Sequence, residues 1–456
     1  MSWETNRREL LGGAAAALAI AGLSGAAFAK ARPYRVGVVG CGWMGKCNAF
    51  ALMQVAPVEI VALCDVDRLM LEDARKRIMA FPASVAKPTR QPELYGDYRT
   101  MLAKHKVDIV LVGTPDHWHT LPAIAAMKAG AHVYLEKPIS VDIAEGQAMV
   151  AVARATGRVV QCGTQRRTSP PHIEARDRIV REGRLGKVGF VEIFGYYHQR
   201  QKSFPPHTTP PGTLDWNFYC GPAPLVPYNA GIHPLNWRSF REFGNGYIAD
   251  LGVHFVDTCR WMLSLGWPKR ISSVGGVFVD KDSVATVPDT QTAQFEYDNL
   301  LMSWSNREWG TIPTGPAGGW GANIYGDKGT LRLGSMNYEF EPVPGEGEKL
   351  TGDFSAEFAK FPDDKLLHPN ERQLVPLTRP NMRDFIAAIE ADGRPAADVE
   401  QGYISTSSVI LANMAMDLGR AIRWDAEKQR VIGDDEAQKR LARPYRTPWV
   451  HPVGAA

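Results

Sequence analysis

Two rhythms of apolar and polar residues divide the chain. From Tyr34, "YRVGVV" is a β-branched run of the kind buried on both faces of a parallel sheet. A helix-compatible stretch follows, and "VEIVALC" then predicts a second strand running up to Asp65. "VDIVLV" and "AHVYLE" read as further strands with the helical "TLPAIAAMKAG" between them. "DIAEGQAMVAVARATG" has helical spacing, and "RVVQCGTQ" closes the run as a strand. Strands alternating with helices need crossovers, and their uniform right hand predicts a doubly wound parallel sheet over residues 33–165.

After residue 165 the rhythm changes. "SPPHIEARDRIVREGRLGKV" predicts a helix with a glycine stop, "GFVEIFGYYHQ" a strand, and Phe204 to Pro227 a proline-rich loop. The runs "RISSVGGVFV", "TQTAQFEYDNLLMSWSN", "ANIYGDKGTLRLG" and "YEFEPV" then follow one another. Strands in succession predict an α+β domain with an open, largely antiparallel sheet over 166–378. Two helices, "NMRDFIAAIEADG" and "SVILANMAMDLGRAI", and a polar tail fill 379–456.

Composition adds exclusions. A length of 456 residues exceeds one ordinary domain, and 45% hydrophobic with 22% charged residues is an ordinary globular balance. The formal charge of +3, with no basic stripe interleaved with aromatics, argues against nucleic-acid binding. The cysteines are scattered without a C-x-x-C pair or zinc-like spacing, so we read them as small buried apolar side chains and expect no metal site. The N-terminus has a signal-peptide layout: Arg7 and Arg8 precede an Ala/Gly-rich apolar run that ends at Ala27-Phe28-Ala29. It resembles a twin-arginine (Tat) signal over residues 1–29, with cleavage after Ala29. The expectation is a folded protein carried by the Tat machinery to a bacterial periplasm, with no stable membrane association once the signal is cleaved.

"GCGWMG", at 40–45, gains meaning from its place between a strand and a helix. Gly40 permits a tight turn, Gly42 lets backbone approach a pyrophosphate, and Gly45 lets helix and strand pack closely. The helix N-terminus then offers free N–H groups to phosphate. Asp65 ends the second strand, where a carboxylate bonds a ribose 2′-hydroxyl and repels a 2′-phosphate, which favours NAD over NADP. Three further segments can do chemistry. Glu136-Lys137-Pro138 stands at the carboxyl end of a strand, where ligands of open α/β sheets bind. Asp250 and His254 are four apart on a predicted helix and share a face, a pairing suited to hydroxyl chemistry. "TPDHWH" places His117 and His119 beside the cofactor as a polar wall. Tyr196, Tyr197, Trp216, Phe218, Tyr219 and Trp237 are candidates for lining a sugar-sized pocket.

Together "GVVGCGWMG", "TPDHWHTLPAIAAMKAGAHVYLEKP", "VVQCGTQRR" and "ADLGVH" resemble the Gfo/Idh/MocA oxidoreductases, the glucose–fructose oxidoreductase and inositol dehydrogenase group, from about Tyr34 to the C-terminus. The resemblance implies a catalytic triad on Lys137, Asp250 and His254. It also implies a second domain whose open sheet makes an oligomer contact, hence a homodimer or homotetramer. The cofactor-contacting set on this reading is Gly40, Gly42, Trp43, Met44, Gly45, Asp65, Thr114, Pro115, His119, Glu136, Lys137 and Gln165. The substrate set is Arg166, Arg167, Tyr196, Trp237, Asp250 and His254. The expected activity moves a hydride between a sugar, glycoside or polyol carbinol and the nicotinamide, with Lys137 or His254 taking the proton. Free NAD is scarce outside the cytoplasm, so export implies a non-dissociating cofactor loaded before transport. Alternatives are an NAD-dependent glycosidase working by transient oxidation and elimination, and a non-catalytic sugar or nucleotide sensor.

Overall fold

The computed structural model describes residues 32–82, 85–196, 203–313 and 318–453. The expected Tat signal and Tyr197 lie outside them. Six strands, β1 (Tyr34–Val39), β2 (Val58–Cys64), β3 (Glu93–Tyr95), β4 (Ile109–Val112), β5 (His132–Leu135) and β6 (Val160–Cys162), form a parallel sheet in the order β3-β2-β1-β4-β5-β6. The order reverses beside β1, so the loops after β1 and β4 open a crevice at the carboxyl ends of the strands. β3 was not anticipated: "ELY" is short and half exposed, with no apolar rhythm to read.

The second sheet has ten strands. They are β7 (Val188–Gly195), β8 (Arg270–Gly276), β9 (Thr290–Glu296), β10 (Leu301–Arg307), β11 (Trp320–Gly326), β12 (Gly329–Leu333), β13 (Asn337–Pro342), β14 (Leu350–Asp353), β15 (Ile422–Asp425) and β16 (Arg430–Val431). Their order is β14-β13-β12-β11-β7-β10-β9-β8-β15-β16, antiparallel throughout except for the parallel pair β7 and β10. The fold is thus a parallel Rossmann layer joined to a mixed, mostly antiparallel sheet, as the sequence predicts. The single run "TQTAQFEYDNLLMSWSN" is a hairpin, β9 and β10, turning at 297–300.

The helix Glu371–Glu390 begins ten residues before the predicted start at Asn381 and carries Pro376 and Pro380 inside it. The boundary expected at 378 therefore falls in mid-helix. Two prolines argue locally for a break. Burial outweighs them: Val375, Met382, Phe385 and Ile386 join one apolar cluster with Tyr34, Phe50 and Leu52 of the Rossmann layer. Arg379, fully buried, is satisfied by Asp364 and Gln54. C-terminal sequence thus completes the N-terminal domain.

The proline-rich segment after Phe204 is not a plain loop. Leu214, Trp216, Tyr219, Ile232, Trp237 and Phe243 form an apolar cluster of their own, against which Val66 packs. The segment crosses the end of β2: Arg68 N–H donates to Thr213 O at 2.9 Å, and Asp215 N–H to Val66 O at 3.0 Å. His233 Nε2 lies 2.9 Å from Asp67 Oδ2. The C-terminal tail then clamps it from outside. Arg446 donates to the carbonyls of Asn217, Gly221 and Ala223, and Trp449 meets Trp118 and Phe218 edge-on. The tail is itself anchored at Asp142, which accepts from Arg443 N–H and pairs with His451. Residues 204–243 form a strap over the cleft, tied to the end of β2 at Thr213, Asp215 and His233 and to the tail at Asn217, Gly221 and Ala223. All six cysteines are buried and unpaired.

Candidate active site

Between the Rossmann layer and the strap lies a cavity of about 440 Å³. One wall comes from the loop after β1. Gly40 has φ +85, and a Cβ there would stand 2.6 Å from the Gly113 carbonyl carbon and the Thr114 nitrogen. A Cβ on Gly45 would lie 1.8 Å from Gly40 O, so helix and loop touch only because residue 45 has no side chain. Gly42 differs: a Cβ on it would meet nothing within 4 Å and would project from the cavity wall. The helix Trp43–Val55 starts there with no side-chain cap and no acidic residue in its first turn. Open space before free helix N–H groups suits a pyrophosphate, so the residues present fit a dinucleotide.

Asp65 lines the same end of the cavity. Its carboxylate accepts N–H bonds from Cys41 at 2.7 Å and Asp67 at 2.9 Å, one on each oxygen. A carboxylate has about four lone-pair sites, so each oxygen can still accept from a ribose hydroxyl. Burial raises the Asp65 carboxyl, and those backbone bonds oppose the rise. Thr114, Pro115, His119, Glu136, Gln165, Trp43 and Met44 also line the cavity, whereas Gly45 packs beneath it. His119 is a clamp: its Nδ1 is 2.6 Å from Pro138 O and its Nε2 3.0 Å from Thr114 O, tying the end of β5 to the end of β4. Burial lowers it to about 4, so a neutral ring donates to one of those carbonyls. His117 is also buried, with Nε2 2.8 Å from Tyr219 O. Burial pushes Glu136 up to about 7 against the opposing pull of Lys137 and of Asn48, whose amide donates to it at 3.1 Å.

At the other end stand Lys137, Asp250 and His254. Lys137 Nζ donates to Asp250 Oδ1 at 2.8 Å and to the Asp250 carbonyl at 2.9 Å, leaving one of its three N–H bonds. Burial alone would raise Asp250, but Lys137 and Arg238 hold it at about 2. His254 is buried, and its Nδ1 has no hydrogen-bond partner. Burial, then Lys137 and Arg166, keep its imidazole well below the usual range and so neutral. Asp250 sits in a π-helical turn, Ile248–Gly252, directly before the α-helix Val253–Met262 that carries His254. Sequence spacing predicts a regular helix over both. The wide turn is instead where the side chain meets Lys137, as such turns do at functional sites.

Three residues of the expected substrate set lie off the cavity wall. Arg167 is buried in a two-pronged pair with Asp257, at 2.7 and 2.9 Å, an interior charge satisfied by packing rather than by ligand. Arg166 lies over the rings of Phe255 and Trp320, 4.5 Å from each centroid, and its charge helps keep His254 neutral. Tyr196 stacks on Phe194 under Arg307. Of the aromatic candidates, Phe218, Tyr219 and Trp237 line the cavity, while Trp216 stacks behind Tyr219. Sequence reasoning missed Asp116, His233 and Arg238, all cavity-lining. Asp116 stood inside a motif already singled out for its histidines; Arg238 gave no signal beyond following Trp237.

A glycine cradle, a ribose-end carboxylate and a lysine–aspartate–histidine group in one cleft define the class, a dinucleotide-dependent oxidoreductase scaffold. Three family models agree: "Oxidoreductase family, NAD-binding Rossmann fold" matches residues 34–164, "GFO/IDH/MocA C-terminal domain" 173–332, and "Oxidoreductase family, C-terminal alpha/beta domain" 347–451. The chain belongs to the Gfo/Idh/MocA oxidoreductase family. Among relatives, levoglucosan dehydrogenase of Pseudarthrobacter phenanthrenivorans is 25% identical over 55% of this chain and 58% of its own. Inositol 2-dehydrogenase of Salmonella paratyphi B is 26% identical over 39% and 49%. A glycosyl hydrolase family 109 protein of Shewanella sp. is 33% identical over 27% and 26%. The chain thus spans less than two thirds of the curated relatives it matches. An oxidoreductase from Agrobacterium radiobacter, solved with NAD+, L-tartaric acid and magnesium, superposes with a TM-score of 0.63 at 16% identity, covering 86% of this chain and 98% of that one. Aldose-aldose oxidoreductase from Caulobacter crescentus, solved with glycerol, gives 0.61 at 17%, covering 86% and 100%. At these identities the likeness is one of fold.

Proposed function

We propose that this protein transfers a hydride between a carbinol carbon of a sugar, glycoside or polyol and a tightly held NAD. The observation that carries the reading is the single N–H of Lys137 left after two bonds to Asp250, in a cavity shared with an unpartnered neutral His254. When bound, the nicotinamide supplies the hydride acceptor or donor. Lys137 donates to the substrate oxygen and stabilises its developing charge. His254, neutral and buried, takes the hydroxyl proton in oxidation and returns it in reduction. Asp250 fixes Lys137 through its carboxylate and its carbonyl, so that the remaining N–H is aimed into the cavity. Gly42 and the helix start hold the pyrophosphate; Asp65 holds the ribose and disfavours a 2′-phosphate.

The strap over residues 204–243 supports retention of the cofactor, since it crosses the ribose end of the cleft and is tied down by His233 and the tail. Retention agrees with Tat export to the periplasm as a loaded holoprotein, and with a homodimer or homotetramer formed through the open sheet face where Val274 is exposed. The test is protein purified from the periplasm with no cofactor added. Denaturation should release about one NAD(H) per chain, and a panel of sugars and glycosides should reduce it in the intact protein, with a second sugar reoxidising it. Product sugar released from a glycoside without net reduction would replace this reading with the glycosidase one. Empty protein requiring added NAD would overturn retention. Asp65→Ala should weaken NAD about tenfold or more, as loss of bonds to a charged group does, and NADP much less.

A further inference from the structure

Asp116 has no part in the chemistry above. It follows β4 in a short 3-10 turn, is only 6% exposed, and lines the cavity. Among the described residues its carboxyl oxygens take no hydrogen bond and no ion pair, and the groups that act on it do so only through charge. A buried carboxyl without a partner costs free energy, unless a ligand or water supplies one. Its surroundings are specific. The Cβ direction of Gly244 ends 3.2 Å from Asp116 Oδ2 and 3.4 Å from the ring of Trp237, so the carboxyl and the indole, both lining the cavity, stand side by side. The charges it feels are Lys137 and Asp250 from the catalytic group, Arg238 from the strap and Arg443 from the tail. Arg238 lies over Trp237, 4.2 Å from its centroid, with its Nε 3.4 Å from Asp250 Oδ1.

We propose that Asp116 binds a second hydroxyl of the substrate, so that the site selects a vicinal diol over a lone alcohol. The proposal deepens the oxidoreductase reading and rests on it. One hydroxyl accepts from Lys137 and donates to His254; its neighbour meets Asp116 against the Trp237 face. Burial, opposed by Lys137 and Arg238, pushes the Asp116 carboxyl up to about 8, so near neutral pH it carries a proton and can both donate and accept. A substrate that displaces water from this carboxyl favours its uncharged form still more.

The test uses NAD-loaded full-length protein labelled with carboxyl-13C aspartate, the Asp116 signal being the one missing from Asp116→Asn. Its titration should centre near 8 and move upward on adding myo-inositol or glucose as probes. Titration in the ordinary carboxylate range, or no response to either probe, overturns the proposal whether or not these sugars are turned over. With a polyol that reduces the NAD, Asp116→Ala should raise KM about tenfold, as loss of one hydrogen bond does, with a smaller change in kcat. Asp116→Asn should keep KM within a few-fold of the parent and lose the rise in KM that the parent shows above pH about 8. Equal KM values for parent and Asp116→Ala would also overturn it. Absence of NAD reduction by any polyol, with the 13C response intact, would sink the oxidoreductase reading and leave the hydroxyl site standing.

Discussion

The two walls of the cleft are built in opposite ways. The Rossmann wall is made of backbone: Gly40, Gly42 and Gly45 act by lacking a side chain, within six residues of one another. The facing wall is made of side chains drawn from the end of β5, the strap, the turn Ile248–Gly252 and the helix Val253–Met262, with Lys137 and Asp250 meeting across 113 residues. A local wall tolerates no added atoms where it touches itself. An assembled wall depends on charges finding each other in a dry cleft, where Lys137 and Arg238 outweigh the burial of Asp250.

The largest effect that would sharpen this contrast is at Lys137. Lys137→Ala should lower kcat by roughly 10²- to 10³-fold, the size of losing one preorganised donor to a developing charge, while released NAD per chain stays at the parent level. Turnover close to the parent's would break the assignment of the assembled wall. Next come two alanines on the local wall. Gly42→Ala should leave the melting temperature within a degree or two but cut NAD retention at least tenfold, because its Cβ enters only the cavity. Gly45→Ala should destabilise the fold itself by about 1–3 kcal/mol or more, since its Cβ has to displace the Gly40 carbonyl. Equal behaviour of the two would remove the distinction between touching and cradling glycines.

Acid titration gives a smaller effect. The folded Asp250 carboxyl is held at about 2, below an unfolded value near 3.9, so its contribution to stability is present above pH about 4 and lost as pH falls toward 2. Acid unfolding of Asp250→Asn should lack that component; identical acid profiles would argue that Lys137 does not pair with Asp250 in solution. The smallest effect is at the strap. His233→Ala removes one hydrogen bond to Asp67 and should speed NAD dissociation by about two- to fivefold, the net worth of one such bond, with kcat unchanged. A dissociation rate equal to the parent's would assign retention to the tail's hold on Asn217, Gly221 and Ala223 instead.

The Rossmann strands, the glycine turn, Asp65, Lys137 and the Asp250–His254 pair were legible in sequence because each depends on spacing within a few residues. The apolar rhythm of β1, β2, β4 and β5 is set by burial on both faces, and a positive φ at Gly40 is a local demand. Arginine side chains behaved otherwise. Arg166, Arg167 and Arg238 are the same residue type near the same motifs, yet one stacks behind His254, one pairs with Asp257, and only the third reaches the cavity. Their long side chains take whichever partner the fold brings near. Position in the chain does not say which.

The sequence by itself determined the two sheets and the glycine turn, and it singled out Lys137, Asp250 and His254 as candidates, since backbone geometry and hydrogen-bonding chemistry act over short range. Only the tertiary structure decided that residues 204–243 close over the ribose end and that the helix Glu371–Glu390 runs through its two prolines to complete the Rossmann core. It alone also left Asp116 facing the cavity without a partner. Those outcomes rest on burial and on charge–charge distances between segments far apart in the chain. Such terms take their values only when the chain is folded.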